Sequence, residues 1–224
     1  MALFSFTFFG VPVVVEWWVI PLIFLLGLHA KTYLEKVYSQ AKYQPGYWVV
    51  LSILAVAAFL SIVAHEVCHG VVAYYLGHPL SEARFSFLYA SVSPVEDLET
   101  ISYRDMFFIA LAGPMANLFL GLVAAVFVKR LPETFLENSI QHFSYINVFT
   151  GRINLFPIMI NGFALDGGFV LYCLLGLTGL SAEVIRWTMV VITSLFFNWY
   201  IFRIQLHGRG IKRWTNWENH LAKL

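Results

Sequence analysis

Charge is what this chain has least of. Lys, Arg, Asp and Glu make up 12% of its 224 residues, about half the usual share of a soluble domain. The signs nearly cancel, leaving a net charge of +1, so no broad basic field points to nucleic acid. Cysteine is almost as scarce. Cys68 and Cys173 both lie in apolar stretches and form no CxxC pair, which excludes a disulfide framework and a thiolate metal site. The N-terminus lacks a charged n-region and a convincing cleavage site, which argues against a removable signal peptide. No repeat or low-complexity linker divides the chain. Residues 1–224 therefore read as a single membrane-embedded domain, with a core over about 46–176 and a C-terminal helix and basic tail over 183–224.

Apolar residues fill the space that charge leaves. They make up 59% of the chain, and the mean hydropathy is +0.73. That composition predicts an all-α, multi-pass integral membrane protein with the lipid bilayer as its surroundings. Five long apolar segments stand out, at residues 13–29, 46–76, 106–128, 143–176 and 183–206. The fourth contains NLFPIMINGFALDGG (154–168), with a proline, an Asn-Gly pair and a Gly-Gly pair. Unwound backbone at membrane depth survives only where protein or trapped water satisfies it. Two stretches, LFSFTFFG (3–10) and EARFSFLYASVSP (82–94), alternate with period two and predict strands. They predict a small sheet or hairpin at one membrane face, beside five to six helices around an intramembrane site.

The second segment carries HEVCH (65–69). Residues four apart share a helix face, so His65 and His69 can reach one metal ion while Glu66 projects beside them. Zinc accepts neutral imidazole nitrogens, and a catalytic site keeps one position open. A third ligand is needed. The chain has three aspartates, Asp97, Asp105 and Asp166, and only Asp166 lies inside an apolar segment. Counted at 1.5 Å per residue, His69 and Asp166 lie about 10 and 15 Å from segment ends on the same side. The alternative is that Asp166 caps a new half-helix. The third segment, which runs the other way, adds AGPMAN (112–117), and it places Asn117 about 16 Å from the same face.

HEVCH, AGPMAN and NLFP…LDGG, in that order, resemble the site-2 protease family of intramembrane zinc metalloproteases. The resemblance covers roughly residues 60–170 and the N-terminal FFGVPV. It implies one Zn2+ held by His65, His69 and Asp166, Glu66 as general base, and Asn154 and Asn117 as groups that hold substrate. It also implies cleavage of single-span membrane proteins, and an exposed edge of the two strand-like stretches could capture an unwound substrate by strand addition. One departure is visible, because eight residues (158–165) separate Pro157 from Asp166, about one helical turn more than the family pattern. Two other readings stay open. One is a divalent-metal transporter or binding protein, which gives Glu66 no task. The other is a catalytically silent member that binds membrane helices. Orientation also divides. The positive-inside rule makes the face with Lys31, Lys36, Lys42, Lys129 and Arg130 cytoplasmic, whereas the resemblance assigns the opposite face.

Overall fold

The computed structural model describes residues 2–8, 11–86, 90–95, 100–131, 134–160 and 163–208. Strands β1 (Ala2–Phe8) and β2 (Val11–Glu16) precede helix α1 (Val19–Val37). Helix α2 (Tyr47–Tyr75) is followed by β3 (Leu80–Phe85) and β4 (Ala90–Pro94), then by α3 (Tyr103–Val128) and α4 (Phe135–Asn154). A short hairpin, β5 (Met159–Ile160) and β6 (Phe163–Ala164), leads into α5 (Asp166–Gly176) and α6 (Ala182–Gly208). The first apolar segment therefore does not start as a helix. Its valines at 13, 14 and 15 belong to β2, and their β-branched side chains suit a strand. The C-terminal tail expected to lie at the interface, residues 209–224, falls outside the described residues.

Both strand expectations are met. The four strands form one sheet in the order β1-β2-β3-β4, with β2 and β3 parallel and the other pairs antiparallel. Arg84 ties β2 to β3, because its guanidinium donates to Glu16 at 2.9 Å and to Glu82 at 2.8 Å. The sheet is not a cap on one end of the bundle, however. Val13, Val15, Val19 and Phe85 pack on Phe59 and Val63 of α2, and Phe59 lies close to the middle of that helix. Phe85 is buried because it has this helix to lean on, so the sheet lies alongside α2 as far as the middle of that helix.

Helix α2 is long and apolar enough to cross a membrane, and so is α3; among the described residues no other helix passes that test. Only 33% and 28% of their most apolar windows are buried within the protein. A core helix of a soluble protein would hide most of that surface, so these helices need an apolar medium around them.

Helix α4 is the inverse of a soluble amphipathic helix. Its buried residues are Ser139, His142, Ser144, Asn147 and Gly151, while Leu136, Tyr145 and Phe149 are exposed. Thr134 caps its start by accepting from Glu137 N–H at 3.2 Å. Small residues bring α4 against α3: Gly151 faces Leu118 and the Pro114 carbonyl, and Gly121 faces Val148 and the Ser144 carbonyl. Close backbone approach through glycine is how helices associate where no hydrophobic force acts between them. Arg152 is exposed on α4. Helix α5 continues in the direction of α4, because Gly176 at its end packs on Tyr103 at the start of α3. The pair is thus one traverse, interrupted at β5–β6.

The α3–α4 contact yields the first test. A Cβ at Gly121 would stand 2.6 Å from Val148 Cγ2 and 3.0 Å from the Ser144 carbonyl. Gly121→Val should cost about 1–3 kcal/mol, the usual range for overpacking, read as a lower unfolding temperature in detergent. An unchanged melting temperature would show that this contact is not tight.

Candidate metal centre

Ser61 is the midpoint of α2, fourteen residues from Tyr47 and fourteen from Tyr75. One turn further along, His65, Glu66 and His69 face the bundle, at 4%, 8% and 9% exposure. A ligand atom from each of the three lies within 4.8 Å of the others. Asp166 reaches the same point from α5. Its Oδ2 is 3.0 Å from His65 Nε2, and its Oδ1 is 3.4 Å from His69 Nε2. The structure thus brings together the four residues that the sequence singled out as ligands and base. The carboxylate does not cap α5. Leu165 is the N-cap and makes no side-chain cap bond, and Asp166 is the first helical residue.

Hydrogen bonds settle which way the imidazoles face. Asn147 Nδ2 donates to the Phe143 carbonyl at 2.9 Å, which turns Asn147 Oδ1 toward Asn117. Asn117 Nδ2 then donates to Asn147 Oδ1 at 3.1 Å and to the Ser61 carbonyl at 3.3 Å. Only Asn117 Oδ1 is left for His65, and it accepts from Nδ1 at 2.5 Å. His69 Nδ1 donates to the Ile109 carbonyl at 2.6 Å. In the neutral rings both protons therefore sit on Nδ1, and both Nε2 lone pairs face the Asp166 carboxylate. Lone pairs and a carboxylate repel unless a proton or a cation lies between them. One divalent cation satisfies all three groups together, while Asn117 Oδ1 and the Ile109 carbonyl fix the tautomers from the far side of each ring.

Space for such an ion comes from α3. A Cβ on Gly113 would fall on His69 Nε2 and come within 2.6 Å of His65 Nε2. The donor set, two imidazoles and one carboxylate with a bare backbone opposite, suits zinc.

Other expected roles change. Asn117, expected to hold substrate, is fully buried, and both ends of its amide are engaged. It has nothing to offer a substrate, and its task is to orient His65. Asn154 ends α4 and is partly buried; its side chain makes no hydrogen bond to another described residue. Gly167 and Gly168 lie against the backbone before α5. A Cβ at Gly167 would strike the Leu155 carbonyl, and one at Gly168 the Ile158 carbonyl, so these glycines let the first turn of α5 press on residues 155–159. Asn147 and the Ile109 carbonyl were missed. An intramembrane asparagine seeks a polar partner, so Asn147 was findable; the role of a backbone carbonyl carries no sequence signal. Asn161 and Gly162, expected to form a turn, lie outside the described residues.

No protein-family model matches the chain, and no curated protein does. Among solved structures it is similar to the site-2 protease from Methanocaldococcus jannaschii. The TM-score is 0.52 over 93% of this chain and 88% of that one, with 22% sequence identity. At that identity the likeness shows the fold.

Two variants probe the centre. Asp166→Ala removes one ligand, the carboxylate that lies 3.0 and 3.4 Å from the two Nε2 atoms, so zinc per chain after dialysis should fall from about one to near zero. Gly113→Ala should also lose the metal, with helical content retained, because its methyl group occupies the ion's place. Full zinc occupancy in either variant overturns the ligand geometry.

Proposed function

We propose that the protein is an intramembrane zinc-dependent metalloprotease that hydrolyses peptide bonds of transmembrane proteins. The observation that carries this reading is the convergence of His65, His69 and Asp166 beside a buried Glu66, halfway along a helix apolar enough to cross a bilayer. The shared fold with an archaeal site-2 protease supports it. When bound, a zinc ion supplies Lewis acidity toward a carbonyl and lowers the pKa of water.

The protein's own residues do the rest. His65 and His69 keep their Nε2 atoms aimed because Asn117 Oδ1 and the Ile109 carbonyl accept from their Nδ1 atoms. The Glu66 carboxylate accepts a proton from the attacking water as its oxygen bonds to the scissile carbonyl carbon. Glu66 then hands that proton to the amide nitrogen, and the C–N bond breaks. Buried apolar walls exclude bulk water from the exchange. Asn154, at the open end of α4, offers an amide to the substrate backbone. In this reading the chain is multi-pass, with α1, α2, α3, the interrupted α4–α5 pair and α6 each crossing the cell membrane.

The decisive variant is Glu66→Gln. It keeps the ligands and removes the proton carrier, so zinc should remain at about one per chain while cleavage of a membrane substrate drops by roughly 10²–10⁴-fold or more. Cleavage at the wild-type rate would rule out the hydrolytic mechanism and leave a metal-binding or transport role.

A further inference from the structure

Hairpin β5–β6 has an outer edge that a single hydroxyl serves among the described residues. Leu165 N–H donates to the Ile158 carbonyl at 3.0 Å, one of the two bonds of a hydrogen-bonded antiparallel position, while Ile158 N–H turns back to the Phe156 carbonyl at 2.8 Å. The next pair, Met159 and Ala164, is then non-hydrogen-bonded, and the N–H and C=O of Met159 point away from the hairpin. They meet α6. Met159 N–H donates to Thr193 Oγ1 at 3.3 Å, and the same hydroxyl lies 3.2 Å from the Pro157 carbonyl and 3.5 Å from that of Met159. Thr193 is 3% exposed. A hydroxyl has one proton, so it cannot serve both carbonyls fully at once. A neighbouring strand would give each group of Met159 its own partner.

We propose that the outer edge of β5 is where the unwound substrate backbone docks, and that Thr193 of α6 occupies this edge when substrate is absent. The proposal rests on the proteolytic reading above. A transmembrane helix must give up its own hydrogen bonds before its peptide bonds can be reached, and addition to a strand edge replaces them. Position favours this edge. Met159 adjoins the Ile158–Leu165 pair, and Asp166 directly follows Leu165, so a strand laid on β5 runs within about three residues, at ~3.3 Å each, of the carboxylate. The occupant is also replaceable. Helix α6 packs mainly on α5 and β5, whereas α3 is clasped by α2, α4 and α5.

The test combines zinc content, KM and kcat for wild type, Thr193→Val and Thr193→Ser, with a synthetic single-span substrate in bilayer discs. Thr193→Val removes the competing hydroxyl without changing shape. It should keep about one zinc per chain and lower KM by about 2- to 10-fold, the span of one hydrogen bond; Thr193→Ser should behave as wild type. Substrates with one backbone amide replaced by an ester, a position at a time, should show a KM rise of the same size at one residue near the cleaved bond. Loss of zinc or of kcat in Thr193→Val with unchanged KM would make the hydroxyl a structural pin and overturn the proposal. A flat ester scan on the unaltered protein would do the same even if Thr193→Val failed to fold. Wild-type protein that neither binds zinc nor cleaves any substrate would instead remove the proteolytic reading itself.

Discussion

The centre of this molecule depends on one hydrogen bond, from His65 Nδ1 to Asn117 Oδ1. Without it the His65 ring is free to turn its other nitrogen toward Asp166, and the lone pair that faces the carboxylate is lost. The bond holds because Asn117 is itself held, through Ser61 and Asn147, and Asn147 through Phe143. This relay joins α2, α3 and α4 at one depth. Helices surrounded by apolar medium gain little from burying more apolar surface, so a polar relay of this kind specifies their mutual position. Asn117 and Asn147 are fully buried, and both ends of each amide have a partner, which is the condition for such a network to stabilise the fold.

The same logic explains why α4 is polar inside. Ser144 donates to the Gly121 carbonyl at 2.7 Å, and His142 pairs with His29 of α1 at 3.1 Å. A soluble helix would turn these groups to water. Here polar atoms can find partners only within the protein, and apart from His142 Nδ1, which is buried without one, α4 meets that condition by turning its serine, histidine and asparagine inward and its aromatic residues outward.

Much of this was legible in the sequence, and the reasons are specific. HEVCH fixes two imidazoles and a carboxylate by helix geometry alone, and the depth count from segment ends put Asp166 at their level. Period-two alternation found the strands. What stayed hidden is tertiary. An alternating pattern says which residues share a face of a sheet but not how deep the sheet sits, so the contact of Phe85 with Phe59 had no warning. Segment-level hydropathy merged the second half of α4 with α5 and missed its polar start, because averaging over a window erases which face a residue occupies. Asn117 was noticed for its polarity, but the role followed only from its partners. The glycines at 167 and 168 were visible as a pair, but what they approach, the carbonyls of Leu155 and Ile158, followed only from the fold.

The interruption before Asp166 has an electrostatic consequence. Breaking a helix at depth exposes backbone groups that cost several kcal/mol each when unpaired in lipid, and the pairing of Ile158 with Leu165 and the contacts of Thr193 offset part of that cost. In return a new helix begins at the metal centre with Asp166 as its first residue. A helix N-terminus carries roughly half a positive charge, which favours an ionised carboxylate there and opposes a cation. The carboxylate holds a full charge in direct contact with both Nε2 lone pairs, whereas the dipole is spread over the first turn behind it, so the attraction for a cation prevails. The dipole's net effect falls on Asp166 itself. The interruption adds the first-turn dipole of α5 to the surroundings of that carboxylate. An uninterrupted helix through this depth would present its side of the bundle without that N-terminus.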